Sequence, residues 1–323
     1  MTIQNMKARS RMVTLARDFF LSRGYLETET PLLAPSLIPE SSLEAFATQY
    51  VHPYAPGKPL YLLPSPEFWM KQLIAQTGAS VFQLGKAFRN AESVSRIHNP
   101  EFTMLEYYTL GSDSADNIGL TEELFRILAR EETPPRARPP FRRITMAQAF
   151  KDFVGLDLDS LGDTGRMIEA ARGKDLLVSP KATWEEAFNV VFLSLVEPNL
   201  PMDRPLVLDE YPTLIECLAK EIPGKPYKER WELYVEGIEI ANCFTEMAEP
   251  QAVREYFDSQ GRKKLESLVP HRIDYGYAEI FANFPPCSGV AVGFDRLTMV
   301  LLGAKTIEEV INFPFPKDFN SGI

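Results

Sequence analysis

The chain has 323 residues, enough for one large catalytic core with an insertion or for two modest domains. Apolar residues make up 45% and charged residues 24% of it, a globular composition that argues against disorder. No run of 18 or more apolar residues predicts a transmembrane helix, and the three dispersed cysteines predict neither a disulfide framework nor a zinc site. The start of the chain carries no recognisable export signal, so the expected compartment is the cytoplasm.

Hydrophobic periodicity and turn residues predict the following elements in chain order. They are a helix at 3–23, a strand at 60–64, a helix at 66–74, strands at 81–89 and 101–109, a helix at 120–130, two strands within 230–246, helices at 250–266 and 274–283, and a strand at 288–294 that leads into a helix. The proline-rich stretch 131–140 is the best linker candidate, and residues 141–200 read as mostly helical. We therefore predict one α+β domain over 1–323, with an antiparallel sheet flanked by helices and a helical insertion at about 131–200.

The formal net charge is −10, with 44 acidic and 34 basic residues. A protein that grips nucleic acid usually presents a basic face, so this balance argues against tRNA as a partner. The only dense basic stretch lies among prolines and contains Arg136, Arg138, Arg142 and Arg143. It is either a solvated loop or a docking patch for an acidic partner.

Two predicted strands each place a glutamate among aromatic residues on one face. In EFTMLEYYT, Glu106 shares a face with Met104 and Tyr108, because side chains alternate along a strand. In GIEIANCFTEM, one face carries Asn242, Phe244 and Glu246. A carboxylate lined by aromatic rings can seat an ammonium group through charge and cation–π contact. The alternative for Glu106 is an edge-strand side chain in water.

Glu232 and Glu239 are candidate metal ligands on the same pair of strands. Strict alternation puts Glu239 on the wrong face, but a tight turn or bulge at Gly237 would bring both carboxylates to one side. Two hard oxygen donors suit Mg²⁺, which keeps waters and substrate phosphates as its other ligands. The alternative is that both glutamates are ordinary surface residues.

Three further side chains could meet a nucleotide. Arg89 ends a predicted strand, where a guanidinium can clamp phosphate through two hydrogen bonds. Arg296 opens the last predicted helix, after a strand whose Gly289 and Gly293 could mark close approach of a ligand. Alternatively, Arg296 forms a surface ion pair with the preceding aspartate, and the loop residue His98 is a surface or capping group.

The order of these segments resembles that of the class II aminoacyl-tRNA synthetases. ETETP resembles their first motif, FRNAESVSRIHNPEFTMLEYY their second motif in its lysyl form, and SGVAVGFDRL their third. GIEIANCFTE is similar to the pocket strand of the lysyl enzymes. The resemblance covers roughly residues 5–110 and 225–315. It implies ATP as a substrate, Mg²⁺ as a cofactor, and a homodimer with Pro31 at its interface.

The resemblance also implies a role for each matching residue. For the amino acid, it implies that Glu67 and Glu106 bind amino groups, in a pocket completed by Ser65, Tyr108, Asn242, Phe244 and Glu246. For ATP, it implies that Arg89 bridges the substrate carboxylate and the α-phosphate, that Arg296 meets the terminal phosphates, that Phe102 stacks on adenine near His98 and Asn99, and that Glu232 and Glu239 carry Mg²⁺.

Two features resemble a particular branch of this family. We expect no anticodon-binding barrel before the first helix, and Ala291 stands where the lysyl enzymes have glycine, which makes it a candidate pocket residue. Both are similar to the truncated paralogues that activate (R)-β-lysine, or lysine, and attach it to a lysine side chain of elongation factor P. The family usually has glutamate directly after FRN, where this chain has Ala91, so we expect Glu92 to take that place.

Two alternatives fit the same motifs. One is a truncated lysyl-tRNA synthetase that acts on tRNA. The other is an inactive regulatory module that only binds lysine or a nucleotide. The intact set of Arg89, Glu232, Glu239 and Arg296 argues against the inactive module.

Overall fold

The computed structural model describes residues 1–316 and contains an eight-stranded sheet and a three-stranded sheet. The strands are β1 (Leu26–Glu27), β2 (Leu33–Ala34), β3 (Phe46–His52), β4 (Ala55–Leu62), β5 (Val81–Phe88), β6 (Glu101–Leu110), β7 (Arg142–Thr145), β8 (Leu206–Pro212), β9 (Tyr227–Val235), β10 (Ile238–Thr245) and β11 (Cys287–Gly293). The large sheet has the order β1-β5-β6-β11-β10-β9-β8-β7. Its six central strands pair antiparallel, which confirms the predicted sheet, and only the edge pairs β1–β5 and β7–β8 are parallel.

The α-helices are α1 (Ile3–Leu21), α2 (Glu67–Thr77), α3 (Ser114–Leu128), α4 (Met146–Ala149), α5 (Thr164–Arg172), α6 (Trp184–Val191), α7 (Pro250–Lys264) and α8 (Phe294–Leu301). The helix predicted at 120–130 begins six residues earlier, because Asp113 and Asp116 cap its first turn reciprocally. The segment Tyr275–Asn283, predicted as a helix, is a 3₁₀ helix. No helix within residues 1–316 combines the length and apolar character needed to cross a bilayer.

The main core lies on one face of the large sheet, under α1, α3 and α8. Leu105 and Tyr107 of β6, Cys243 of β10 and Val290 of β11 point into it and are almost fully buried. Because alternate residues of a strand point to opposite faces, the intervening residues of the same strands face away from this core. Those residues line the cleft described below.

Residues 146–200 form short helices around a second apolar core, which includes Phe150, Trp184 and Phe188. The helical prediction for 141–200 was wrong at its start, where residues 142–145 form β7. This strand pairs with β8, which the sequence analysis did not predict. Periodicity is uninformative for both, because β7 is four residues long and β8 is buried at six of its seven positions.

Candidate active site

The face of the sheet opposite the main core carries a cleft made of two adjoining cavities, of about 430 and 190 Å³. Both are lined by Arg89, Met104, Glu239, Asn242 and Ala291. A molecule in the larger cavity therefore meets a molecule in the smaller one beside these five side chains. The cleft can hold two reactants in contact.

The larger cavity gathers the residues predicted to bind the amino acid. Strand pairing places Ala291 of β11 between Glu106 of β6 and Asn242 of β10. The same pairing puts Gly289 between Tyr108 and Phe244. All the predicted pocket residues line this cavity, namely Ser65, Glu67, Glu106, Tyr108, Asn242, Phe244, Glu246 and Ala291.

Glu106 and Glu246 are buried carboxylates at the floor of this cavity. Glu106 is 3% exposed, which rules out an edge-strand glutamate in water, and it accepts a hydrogen bond from the Tyr108 hydroxyl at 2.8 Å. Burial, reinforced by the neighbouring Glu67 carboxylate, raises the pKa of Glu106 to about 8. Burial also raises the pKa of Glu246 to about 7, although Lys71 opposes the shift. Oε2 of Glu106 and Oε1 of Glu246 have no hydrogen-bond partner within the described residues, so the floor offers free acceptors to a cation.

Lys71 is the main pocket residue that the sequence analysis missed. It is fully buried, with its Nζ 2.5 Å from Oε1 of Glu67 and 2.7 Å from Oε2 of Glu246. Burial disfavours its charge, but Glu246 and Glu67 outweigh this and raise the pKa of Lys71 well above its ordinary value. The sequence signal was the spacing of Glu67 and Lys71, four residues apart on one helix. The pocket therefore holds one permanent ammonium group between its carboxylates.

The candidate metal ligands lie on one side of the cleft, as predicted, but the cause is not a bulge at Gly237. Glu236 and Gly237 form a tight turn with positive φ, and the irregularity in the β9–β10 pairing lies between Glu239 and Ala241. One extra residue there inverts the alternation and turns Glu239 into the cavity that Glu232 also lines.

Glu232 and Glu239 together fit a divalent cation. Burial and the Glu232 carboxylate raise the pKa of Glu239 to about 7, as expected for two acids that face each other without a cation between them. Glu232 already accepts hydrogen bonds from Arg230 at 2.8 Å and Tyr234 at 2.7 Å. Residues 1–316 contain no group of three or more potential metal-binding side chains. A bound ion would therefore take its remaining ligands from substrate and water, which suits Mg²⁺.

The smaller cavity collects the residues predicted to meet ATP: Arg89, Glu92, His98, Asn99, Phe102, Glu239 and Arg296. The Arg89 guanidinium lies 5.4 Å from the Phe102 ring centroid, and its Nη1 lies 3.8 Å from Oε1 of Glu92. Arg296 donates to the carbonyl oxygen of Glu239 at 2.9 Å. Two guanidinium groups and an aromatic ring are the elements that a phosphorylated purine requires.

Three of these positions have local contacts that the sequence did not reveal. The aspartate before Arg296 is 1% exposed and forms an ion pair with Arg9, so the alternative of a surface pair between neighbours is wrong. His98 shares a hydrogen bond of 2.9 Å with Ser95 Oγ, and burial lowers its pKa. The Asn99 side-chain amide donates to the carbonyl oxygen of Glu101 and accepts from a backbone N–H, which fixes the rim of the cavity.

Comparison with known proteins places this chain in a family. The sequence pattern of the family described as tRNA synthetases class II (D, K and N) matches residues 1–317. This chain belongs to that class II family. It is 35% identical to an elongation factor P–(R)-β-lysine ligase of Vibrio atlanticus, over 98% of this chain and 97% of that protein.

Two further relatives bear on the same class II site. An elongation factor P–(R)-β-lysine ligase of Haemophilus influenzae is 35% identical over 96% of this chain and 95% of its own length. A lysine–tRNA ligase of Chloroflexus aurantiacus is 36% identical over 95% of this chain, which corresponds to 64% of that protein. Both kinds of relative are ligases, in agreement with the ATP-dependent ligase expected from the motifs.

Gly289 and Gly293, in the third class II motif, differ in the space that a side chain would have at each position. A Cβ at Gly289 would lie 2.5 Å from the Tyr108 ring, so glycine there is needed for that tyrosine to enter the pocket. At Gly293 the nearest atom would be a backbone oxygen at 3.6 Å, an ordinary contact. At Gly289 the close neighbour is therefore a side chain of the protein, and approach of a ligand to either glycine stays a prediction.

Proposed function

We propose that this class II ligase activates (R)-β-lysine, or lysine, with ATP and transfers it to a lysine side chain of elongation factor P. The observation that carries the proposal is the joined cleft, in which a carboxylate-lined cavity opens beside Arg89 into a cavity with the features of a nucleotide site. The names of the relatives from Vibrio and Haemophilus support the acceptor and the amino acid. The runner-up is charging of tRNA, as the name of the Chloroflexus relative would suggest.

In the first step, a carboxylate oxygen of the amino acid attacks the α-phosphorus of ATP. A new O–P bond forms, the bond to the bridging oxygen breaks, and pyrophosphate leaves. The attacking carboxylate is ionised at pH 7, so this step needs no general base. Arg89, between the two cavities, orients both reactants and stabilises the charge that develops at the α-phosphate. Arg296 neutralises the departing phosphates.

Mg²⁺, when bound by Glu232 and Glu239, would supply further positive charge to the phosphate oxygens. In the second step, the neutral amine of the acceptor lysine attacks the carbonyl carbon of the mixed anhydride. The new C–N bond forms, the C–O bond to phosphate breaks, and AMP leaves. We also propose that the enzyme works in the cytoplasm.

We further propose a homodimer formed around Pro31. Leu26, Leu32 and Leu33, which flank this residue, are 54%, 39% and 40% exposed. Exposed aliphatic side chains close together in sequence are what we expect of a surface that a partner covers. Sedimentation of the purified protein tests the dimer.

We expect the purified protein to transfer the activated amino acid to elongation factor P and not to tRNA. Besides the net charge of −10, the basic stretch offers little free charge to a nucleic acid. Arg136, Arg142 and Arg143 pair with Glu236, Asp203 and Asp209. Acceptor assays with labelled amino acid and either elongation factor P or tRNA test this. Efficient charging of tRNA would overturn the choice of acceptor, and absence of pyrophosphate exchange with any lysine isomer would favour the inactive module.

We expect Ala291→Gly to increase activity with α-lysine relative to β-lysine. Ala291 lies between Glu106 and Asn242 and lines both cavities. Its methyl group would crowd an α-amino group and leave room for an amine one carbon further from the carboxylate. Discrimination between two substrates by one methyl group contributes about 1–3 kcal/mol, or roughly 10–200-fold in the ratio of their kcat/KM values. The measurement is kcat/KM for both isomers in wild type and variant. An unchanged isomer ratio would mean that Ala291 only packs the strand.

A further inference from the structure

Glu40 lies in a loop that borders the larger cavity and belongs to none of the motifs described above. The loop is held from below by two buried side chains of α7. Oε1 of Gln260 accepts a hydrogen bond from the backbone N–H of Ser41 at 2.9 Å, and the Lys264 ammonium donates to the carbonyl oxygen of Leu43. Gln260 and Lys264 are 4% and 1% exposed. The position of Glu40 is therefore fixed by the core of the protein.

The Glu40 carboxylate has no hydrogen bond or ion pair within residues 1–316, whereas three neighbouring pocket acids are engaged. Glu67 and Glu246 share Lys71, and Glu106 accepts from a tyrosine. Burial first, and then the neighbouring Glu67, raise the pKa of Glu40 to about 7. A half-buried acid held beside another acid is unfavourable unless a cation joins them.

Backbone contacts locate the Glu40 loop along the cleft. The carbonyl oxygens of Glu44 and Ala45 accept hydrogen bonds from Asn90, the residue after Arg89, at 2.8 and 3.3 Å. Glu40, Glu67 and Arg89 also line the same cavity, so this loop borders the end of the cavity at which Arg89 lies. In the proposed reaction, Arg89 meets the substrate carboxylate, so Glu40 faces the part of the amino acid nearest to that carboxylate.

We propose that Glu40 is a specificity-determining residue that binds, together with Glu67, the substrate amino group nearer to the carboxylate. The inference rests on the proposed function and deepens it. The carboxylates of Glu40, Glu67, Glu106 and Glu246 gather in this cavity, where Lys71 pairs with two of them and the guanidinium groups of Arg89 and Arg230 also line the wall. A diamino acid brings two further ammonium groups to this acidic surface. Glu40 accounts for recognition of the inner one, while Glu106 and Glu246 serve the distal one.

The test is pyrophosphate exchange with Glu40→Gln, which keeps the shape and removes the charge. We expect kcat/KM for β-lysine or lysine to fall by roughly 10- to 100-fold, as for loss of one hydrogen bond between charged groups. The KM for ATP should stay within about twofold. With 6-aminohexanoate, which has the carboxylate and the distal amine but lacks the inner amine, variant and wild type should be equally active. Glu40→Asp should recover part of the activity, and Glu266→Gln, a change at an exposed acid outside both cavities, is the matched control.

Three results would overturn the inference. An unchanged kcat/KM for the diamino acid would mean that Glu40 does not touch the substrate. An equal loss with 6-aminohexanoate would assign the effect to the shape of the pocket or to the distal amine. A raised KM for ATP would mean that the loss of activity arises because Glu40 helps to position Arg89. Absence of exchange in the wild type would instead refute the proposed function itself, and the two failures are therefore distinguishable.

Discussion

Replacing Arg89 with alanine is expected to slow pyrophosphate exchange by roughly 10²–10³-fold while leaving the protein folded. Arg89 is the guanidinium that lines both cavities, and its Nε has no hydrogen-bond partner within the described residues. Its loss removes charge stabilisation at the point where the two reactants meet. The matched control is Arg96→Ala, in the same loop, because Arg96 is exposed and donates only to the carbonyl oxygen of Lys305.

A similar loss is expected for Glu239→Gln, which keeps the side-chain shape and removes one charge from the candidate Mg²⁺ site. Glu236→Gln, in the turn of the same hairpin, is the control, since Glu236 pairs with Arg136 outside both cavities. Circular dichroism of each variant establishes that the fold is intact. Near-normal exchange in Arg89→Ala or Glu239→Gln would remove that residue from the mechanism.

Replacing Lys71 with methionine is expected to destabilise the protein by about 3–5 kcal/mol at pH 8, because Glu67 and Glu246 lose their counterion and Glu106 loses a nearby positive charge. The loss should be smaller at pH 6. Glu106 and Glu246 have folded-state pKa values of about 8 and 7, above those of unfolded glutamates. A carboxyl group whose pKa is higher in the folded state lowers the free energy of unfolding as the pH rises from its pKa in the unfolded state to its pKa in the folded state. Without Lys71 the folded pKa values rise further, so the variant continues to lose stability with rising pH after the wild type has stopped, and the difference between them is larger at pH 8 than at pH 6.

Urea unfolding of wild type and Lys71→Met at the two pH values measures this difference. Lys86→Met is the control, because its ion pair with Glu101 at 3.3 Å is solvent-exposed and should contribute less than about 1 kcal/mol. An equal loss of stability at pH 6 and pH 8 would show that Lys71 acts through packing of its aliphatic chain and not through charge.

Strand alternation was sufficient to predict which side chains line the cleft. Glu106, Asn242 and Phe244 were placed on the correct faces from sequence, because the alternation of side chains along a strand depends only on neighbouring residues. The sequence predicted that a local irregularity would turn Glu239 toward the cleft, but it placed that irregularity at Gly237. The irregularity lies at 239–241, where no glycine or proline marks it.

Other parts of the site depend on contacts that are distant in sequence. Glu40 lines the pocket from a loop, and Lys71 supports its carboxylates from a helix. The spacing of Glu67 and Lys71 is equally typical of a surface ion pair, and Glu40 carries no local pattern. Lys71 is buried because Glu246, 175 positions further along the chain, supplies its second counterion. Likewise, Asp295 is buried because Arg9 of α1 pairs with it and the backbone N–H of Thr103 donates to it at 2.7 Å. Local periodicity cannot predict such pairs.

The extra residue in β10 has a consequence for how this enzyme can diversify. A single strand supplies Glu239 to the phosphate side of the cleft and Asn242 and Phe244 to the amino-acid side. A one-residue insertion or deletion between Glu239 and Asn242 would take one of the two side chains out of the cleft, because side chains alternate along a strand. Point substitutions on neighbouring elements, such as positions 40 and 291, leave this arrangement of β10 unchanged and are the simpler route to a new amino-acid preference.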